Sequence, residues 1–179
     1  MASDWNAQTS DPKVRKLMQG FPPGPDQIVG TDTHGLSANS FPNTRWAFSH
    51  QRELKSTVNI RRGSEPVHRF PRKLRKEIDG ISFVTQEGQQ MTWGQSIDAM
   101  FTDGIVVLHR GEIVYETFRG ALEPHLPHIA FSVTKSFVGL MAAILAHEGK
   151  IDTNALVSRY IPELADTAYG DATVRHVMD

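Results

Sequence analysis

The sequence predicts an α+β fold, an antiparallel sheet flanked by helices, on three observations. Residues Glu112–Phe118 alternate between apolar and polar side chains behind the tight-turn dipeptide Arg110–Gly111, which indicates a β-hairpin. Farther along, the dense apolar run from Phe137 to Leu145 is typical of a buried helix. At 179 residues, 39% of them hydrophobic, the chain is long enough to bury a core around these elements.

Residues 1–75 are predicted to form an extended arm that packs on the body. The arm is rich in Gly and Pro up to residue 45, and only Lys13–Met18 could form a helical turn or two. Its docking point is expected at Asn43–His50, followed by a polar, basic connector over residues 51–75. The apolar anchors expected on the body are Phe21, Ile28, Phe41, Trp46 and Phe48. Residues 76–179 are then the amino-terminal part of a globular domain.

Charge divides the chain in two. Residues 1–76 carry thirteen Lys or Arg against six Asp or Glu, whereas residues 77–179 carry six against fourteen. These halves should attract each other. The basic residues are spread among Pro, Gly and Thr without a helical stripe or interleaved aromatic residues. We therefore expect no nucleic-acid partner.

Composition excludes several kinds of site. The chain has no cysteine, which excludes disulfides, thiolate metal sites and a cysteine nucleophile. Its start lacks the basic and apolar regions of a secretory signal, and no apolar run approaches the roughly 18 residues of a membrane span. We therefore expect a cytoplasmic location and no membrane partner.

Local patterns predict the elements of the body in order. Ile81–Val84 is typical of a short strand. The T-x-x-Q pattern of Thr92–Gln95 is a capping box, which predicts a helix over residues 93–101. Ile105–His109 is apolar on both faces and is expected in the middle of a sheet. The strand after the Arg-Gly turn then completes the hairpin.

The rest of the chain is predicted to be mainly helical. Residues 120–128 form an irregular loop with two prolines, which leads into a helix over residues 132–148. Gly149 is a normal glycine just past the end of that helix. Residues 160–164 and 172–178 predict two short helices. The cap expected for the second of them is Asp171 or Thr173.

A candidate catalytic pair opens the long helix. Ser132 and Lys135 are three positions apart, so they share a helix face with about 5 to 6 Å between Cβ atoms. A serine hydroxyl is a weak nucleophile until a base takes its proton. A lysine can be that base when burial lowers its pKa, and the free N–H groups at a helix start can hold an oxyanion. The pattern predicts acyl transfer.

Other interpretations of the pair remain open. Ser-x-x-Lys occurs by chance in many chains, and a lysine in a first helical turn is usually a solvated charge with its stem packed down. The chain would then be a structural fragment in which Lys135 pairs with a carboxylate. That alternative predicts no acylation at all.

The remaining polar residues are weaker candidates. His125 and His128 lie three apart, but the prolines around them prevent helical geometry and no third ligand is near, so zinc is not expected. The rim of a substrate cleft suits them better. His109 is expected at the surface, and His176 in a structural hydrogen bond. Solvated carboxylates are expected at Asp103 and Glu123.

The order of several segments resembles a known superfamily. The segments that carry the resemblance are Asn43–His50, Tyr115–Glu116, Ser132–Ser136 and Val157–Ala165. Together they resemble the penicillin-recognising serine hydrolases, which span class C beta-lactamases, D-amino acid peptidases, family VIII esterases and 6-aminohexanoate-dimer hydrolases. The resemblance is closest to the last of these and covers most of residues 41–179.

The resemblance implies a fold and a chemistry. It implies a beta-lactamase/transpeptidase-like fold with an all-helical region, incomplete in this chain, and needs no metal or cofactor. By position, Ser132 attacks a carbonyl, Lys135 accepts its proton, and the Ser132 N–H forms half of an oxyanion hole. The substrate would be a small amide or ester such as an aminohexanoate oligomer. Alternatives are a carboxylesterase, a beta-lactamase-like hydrolase or a penicillin-binding-type sensor without turnover.

The chain departs from the family at its end. Family members supply a catalytic tyrosine and a second oxyanion N–H beyond the last segment matched here. The tyrosines of this chain do not occupy that motif, so none is assigned a role; they are Tyr115, Tyr160 and Tyr169. Three explanations compete: a second polypeptide completes the fold, the chain is a truncated gene product, or it is part of a longer chain. We expect the second polypeptide.

Overall fold

The computed structural model describes residues 5–30 and 35–179, and the chain divides into two compact units. The first unit ends at Ile129, and the second runs from Ala130 to Asp179. The boundary that composition suggests near residue 75 therefore lies inside the first unit. The division into an arm and a body stays a prediction.

The first unit contains the strands and the shorter helices. Its strand pairs are parallel β1 (Val29–Gly30) and β2 (Leu36–Ser37), antiparallel β3 (Ser82–Val84) and β4 (Gln90–Thr92), and antiparallel β5 (Gly104–His109) and β6 (Glu112–Phe118). Its α-helices are α1 (Thr44–Ala47), α2 (Gln51–Leu54) and α3 (Trp93–Ala99). Single 3₁₀ turns cover Pro25–Gln27 and Lys76–Gly80.

The buried core of the first unit surrounds one tryptophan. Trp46, on α1, is 6% exposed and belongs to a cluster with Leu17, Val29 and Ala121. Its indole also stacks on the His50 ring at 4.1 Å between centroids. Early residues and the loop after β6 therefore share one core. Of the other residues expected to anchor the arm, Phe21 is fully exposed, so the prediction that Phe21 is an anchor is wrong.

Strands β5 and β6 form the predicted hairpin. Arg110 and Gly111 have φ of 52° and 78°, the left-handed pair that a type I′ turn requires. On the far side of β6, the Ile113 N–H donates to Pro71 O at 2.8 Å, and the Lys73 N–H donates to Ile113 O at 2.9 Å. Among the described residues β6 has neighbours on both sides, whereas β5 pairs only with β6. The expectation of a central β5 is wrong here because no described segment pairs with its outer edge.

Helix α3 begins at the predicted capping box. Thr92 Oγ1 accepts the Gln95 N–H at 3.2 Å, and Gln95 Oε1 accepts the Thr92 N–H at 2.8 Å. The helix buries Ile97 and ends at Ala99, earlier than predicted. The start of the helix follows from local hydrogen bonding, while its end does not.

Tyr115, on β6, is a buried titratable group with a consequence for stability. It is 6% exposed, and its hydroxyl donates to Asp79 Oδ1 at 2.6 Å. Burial first, and then the hydrogen bond to Asp79 and its negative charge, raise the pKa of Tyr115 above the ordinary value. The folded state therefore disfavours the phenolate. The stability that Tyr115 contributes is fully present below about pH 10 and is lost as pH rises through the folded-state pKa.

We expect Tyr115→Phe to lower the free energy of unfolding by about 1 kcal/mol at neutral pH, because the hydrogen bond to Asp79 is lost. The difference from the natural chain should shrink above about pH 10, where the natural chain loses this contribution and the variant does not. Urea unfolding over a pH series measures both. Tyr169→Phe is the matched control, since Tyr169 is 52% exposed. A difference that stays constant at alkaline pH would contradict the prediction.

The second unit is mainly helical, as predicted. Its elements are α4 (Val133–His147), 3₁₀ turns at Val157–Arg159 and Pro162–Leu164, and α5 (Val174–Met178). Gly149 follows α4 with φ of 71°, the left-handed conformation of a helix-terminating glycine. Helix α5 begins where Thr173 Oγ1 accepts the His176 N–H at 3.2 Å. The ring nitrogen Nδ1 of His176 faces the Thr173 N–H at 3.3 Å, so the structural role predicted for His176 is confirmed.

Helix α4 is apolar on several sides and yet exposed. Phe137, Leu140 and Met141 are 64, 60 and 63% exposed. Among the described residues, none on α4 is buried. The prediction of a buried helix is therefore wrong for this structure, because no described element of its own unit supplies an apolar layer against it. None of the helices within residues 5–30 and 35–179 is long and apolar enough to cross a membrane.

Candidate active site

Ser132 and Lys135 lie on the first turn of α4. Ser132 is the N-cap residue, with φ of −71° and ψ of −10°, so its backbone is already helical. The Lys135 Nζ atom lies 3.0 Å from Ser132 Oγ, a normal hydrogen-bond distance. A proton can pass directly between two such atoms. The structure thus brings together the two side chains that helical spacing predicts to be neighbours.

The backbone N–H groups of this turn are mostly engaged. Those of Val133, Thr134 and Lys135 donate to carbonyl oxygens three residues earlier, at 3.0 to 3.1 Å. The expectation that several of them are free is wrong, because the chain enters the helix through consecutive tight turns. The Ser132 N–H donates to no backbone carbonyl within the described part of the chain. It is therefore the donor of this turn that an oxyanion could use.

The residue before the serine has an unusual backbone. Phe131 has φ of 45°, in the left-handed region that a bulky side chain rarely adopts. Such a conformation costs on the order of 1–3 kcal/mol and persists only when the surrounding structure holds it. The turn at Phe131 directs the chain into α4 with Ser132 at the cap.

The surroundings of the pair are open within the second unit. Ser132 and Lys135 are both exposed, and so are their neighbours on α4. The burial expected around Lys135 is therefore not observed. Its only side-chain hydrogen bond within the described residues is the one to Ser132. The alternative in which Lys135 is paired with a carboxylate has no support, since no ion pair of Lys135 occurs among those residues.

The two candidate histidines of the loop before α4 lie near different carboxylates. His125 is exposed near Glu123, with His125 Nδ1 at 3.7 Å from Glu123 Oε2. His128 contacts Asp103 instead, with Nε2 at 3.3 Å from Oδ2. Within the part of the chain that the structure describes, no group of three or more His, Asp or Glu residues could hold a metal ion. A place for His128 on the rim of a substrate cleft stays a prediction.

Sequence reasoning missed a buried ion pair. The Asp103 side chain is 12% exposed and lies 3.3 Å from the Arg45 guanidinium, whose side chain is 6% exposed. The prediction of a solvated Asp103 is wrong, because α1 places a cation against this carboxylate. The available signal was an arginine directly before Trp46 and Phe48, the apolar anchors of the docking segment. A charge among anchoring residues is seldom buried without a partner.

Comparison with known proteins assigns the fold. Residues 91–179, about half of the chain, match the family described as Beta-lactamase. The chain belongs to the beta-lactamase family. The matched range runs from β4 to the end of α5 and contains Ser132 and Lys135. The predicted α+β fold of this family is confirmed, in a chain that covers only part of it.

Two relatives refine the comparison. Over 143 residues this beta-lactamase-family chain is 31% identical to the 6-aminohexanoate-dimer hydrolase of Paenarthrobacter ureafaciens, covering 77% of this chain and 33% of that protein. A solved structure described as "Putative 6-aminohexanoate-dimer hydrolase from Bacillus anthracis" shares 29% identity at a TM-score of 0.70, covering 77% of this chain and 35% of that one. The chain thus spans about a third of the length of these relatives. Neither relative supports the expected second polypeptide.

Proposed function

We propose that this chain is a serine hydrolase that cleaves amide or ester bonds of small linear substrates, such as 6-aminohexanoate oligomers, through an acyl-enzyme on Ser132. The observation that carries the proposal is the 3.0 Å separation of Lys135 Nζ and Ser132 Oγ. The substrate class rests on the names of the two relatives. A cytoplasmic location belongs to the same proposal. The family membership supports hydrolysis as the reaction class.

Acylation follows from the geometry of the pair. In its free-amine form, Lys135 accepts the proton of the Ser132 hydroxyl while Oγ bonds to the substrate carbonyl carbon. The carbonyl oxygen becomes an oxyanion, and the Ser132 N–H is the donor available to it. When the carbon–nitrogen or carbon–oxygen bond breaks, Lys135 donates the proton that it received from Ser132 to the leaving nitrogen or oxygen. The products of this step are the free amine or alcohol and an ester on Ser132.

Deacylation then requires water. A water molecule attacks the ester carbonyl, the Ser132 Oγ leaves and regains a proton, and a carboxylic acid is released. Lys135 can take the proton of the attacking water, since it is the side chain nearest to Oγ by hydrogen bonding. The same residue thus serves as base in both steps.

The test is acylation of the purified chain by a fluorophosphonate, followed by intact-mass and peptide mass spectrometry. We expect one adduct, on the peptide that contains Ser132, and no adduct after Ser132→Ala. Ser136→Ala is the matched control, because Ser136 lies one turn farther along the same exposed helix and should not affect labelling. Labelling that survives Ser132→Ala, or a natural chain that does not react at all, would refute the proposal.

A second candidate function is acylation without turnover, as in a penicillin-binding-type sensor. The observation that favours it is that, of the described titratable side chains, Lys135 alone hydrogen-bonds to Ser132, so one base would have to serve both steps. A p-nitrophenyl ester distinguishes the two candidates. Release of one equivalent of p-nitrophenol followed by none indicates the sensor. Continued release indicates the hydrolase.

A further inference from the structure

A cavity of about 210 Å³ lies wholly within the first unit. Early residues, α1, α3 and the end of β6 all contribute to its lining. Among the described residues, the charged side chains that line it are two arginines and two aspartates: Asp11, Arg45, Asp98 and Arg119. The volume is far larger than one water molecule needs, but smaller than the roughly 300–1,000 Å³ of pockets for drug-sized ligands. The cavity therefore suits a small molecule.

Arg45, on α1, brings an unused hydrogen-bond donor to this cavity. Its side chain is 6% exposed. Its Nη1 donates to Ala7 O at 3.2 Å and to Ser10 Oγ at 2.9 Å, and its Nε donates to Asp103 Oδ1 at 3.3 Å. Its Nη2 donates to no acceptor within residues 5–30 and 35–179. Because a buried N–H group needs an acceptor, Nη2 is a donor that a bound molecule could use.

Glycine at position 120 keeps space open beside that donor. A Cβ there would lie 3.1 Å from Arg45 Nη2, which is tighter than an ordinary van der Waals contact. Gly120 also has φ of 57°, in the left-handed region that favours glycine. Since Gly120 and Arg45 both line the cavity, the absence of a side chain at Gly120 leaves room for a ligand atom near Nη2.

Arg119, the residue after β6, supplies a second guanidinium. Its side chain is 41% exposed, and its Nε lies 3.6 Å from Asp98 Oδ1, an ion pair that is longer than a hydrogen bond. In the part of the chain that the structure describes, neither Nη atom of Arg119 has an acceptor. Guanidinium groups bind carboxylates through pairs of N–H donors in a fixed geometry. Arg45 and Arg119 together therefore favour a carboxylate as one group of the ligand.

Two carboxylates balance the two arginines. Asp11 Oδ1 accepts the Lys13 N–H at 2.7 Å, and Asp11 forms no ion pair with any described residue. Asp98, on α3, is 54% exposed, and its partner among those residues is Arg119 at the long distance given above. Both carboxylates can accept hydrogen bonds from an ammonium group. Because the charges of the lining cancel, a ligand with one group of each sign complements it better than a simple anion or cation.

Apolar surface lines the same cavity. Ile97 is 3% exposed, and the centre of the Phe101 ring lies 6.0 Å from the guanidinium carbon of Arg45. A short run of methylene groups loses contact with water when it packs on such surfaces, which favours binding. The part of the ligand between its charged groups should therefore be aliphatic.

We propose that this cavity binds a small aliphatic zwitterion. Its carboxylate accepts hydrogen bonds from Arg45 Nη2 and from Arg119, its ammonium group pairs with Asp11 and Asp98, and its methylene groups pack on Ile97 and Phe101. The proposal goes beyond the proposed function and does not rest on it, since every residue of this site belongs to the first unit.

The test is a nuclear magnetic resonance titration of the ¹⁵N-labelled chain with 5-aminopentanoate. We expect saturable shifts of the amide signals of Phe101 and Gly120, which line the cavity. Pentanoate lacks the ammonium group and pentylamine lacks the carboxylate. Each should bind at least about tenfold more weakly, because each leaves one pair of charged side chains in the cavity without its partner.

Two variants test the two ends of the site. Arg119→Gln and Asp98→Asn should each weaken binding of 5-aminopentanoate at least about tenfold, since each removes one charged partner. Both side chains are partly exposed, at 41 and 54%, so the substitutions should be tolerated. Arg52→Gln is the matched control: it also removes one positive charge, but Arg52 is exposed on α2 and does not line the cavity. It should leave the dissociation constant unchanged.

Each outcome supports or overturns the proposal. Absence of saturable shifts at Phe101 and Gly120 overturns the site. Binding that is unchanged in Arg119→Gln removes the carboxylate contact on which the site depends and also overturns it. Pentanoate or pentylamine binding as tightly as 5-aminopentanoate overturns the recognition of a zwitterion. Saturable shifts that weaken in Arg119→Gln and Asp98→Asn, but not in Arg52→Gln, support the proposal. If either variant does not fold, the other variant and the two single-charge analogues decide.

Discussion

Lys135→Ala is expected to lower the rate constant for acylation of Ser132 by on the order of 10²–10⁴-fold, the usual contribution of a positioned general base. Lys135 Nζ donates to Ser132 Oγ at 3.0 Å, and in its free-amine form the same atom is the base in reach of the Ser132 proton. Without it, the hydroxyl must lose its proton to water. Stopped-flow measurement of fluorophosphonate acylation gives the rate constant directly.

The control for this change is Lys150→Ala. Lys150 is an exposed lysine just past α4 that pairs with Glu148 at 2.6 Å, so it matches the loss of one positive charge without touching Ser132. Its acylation rate should equal that of the natural chain. A Lys135→Ala variant that reacts at the natural rate would exclude Lys135 as the base and leave only a structural role for its hydrogen bond.

The second large effect is expected at Trp46. Trp46→Ala should lower the free energy of unfolding of the first unit by about 3–5 kcal/mol, the usual loss for a buried aromatic side chain. The indole is 6% exposed, packs with Leu17, Val29 and Ala121, and stacks on His50. Its removal leaves a cavity in a cluster that joins the early residues to the loop after β6. Urea unfolding followed by circular dichroism measures the loss.

Phe21→Ala provides the comparison for Trp46→Ala. Phe21 is another aromatic residue from the early part of the chain, but its side chain is fully exposed, so truncation should change stability by less than about 0.5 kcal/mol. Equal effects of the two substitutions would mean that the Trp46 cluster is not a cooperative core. A large effect of Phe21→Ala would show that this ring is buried in solution.

Features with local causes were predictable from the sequence. The capping box at Thr92 and the N-cap at Thr173, one of the two caps expected there, depend on side chains and N–H groups within three residues of each other. The hairpin turn needs left-handed backbone at Arg110 and Gly111, which the dipeptide itself suggests. The approach of Lys135 to Ser132 follows from helical periodicity. In each case the physical cause lies within one turn of structure.

Features that depend on distant partners were not predictable. Asp103 was expected in solvent because nothing near it in sequence requires burial, and the cation that pairs with it is Arg45, far away along the chain. The edge position of β5 likewise depends on which segment lies beside it, and here residues 71–75 pair with β6 instead. The periodicity of apolar residues predicts whether a segment is a strand or a helix, but not which other segments lie beside it.

The sequence by itself determined the helix that carries Ser132 and Lys135, the turn of the hairpin and the family to which the chain belongs. Short-range geometry depends on residues that are neighbours in the sequence, and the order of the motifs can be read from the sequence directly. Only the tertiary structure decided which charges are buried, which strand has two neighbours and which contacts hold the loop at His128 and Ile129. The physical reason is that burial and ion pairing depend on chain segments brought together across long sequence separations, whose attraction is strong only after water has been excluded from between them.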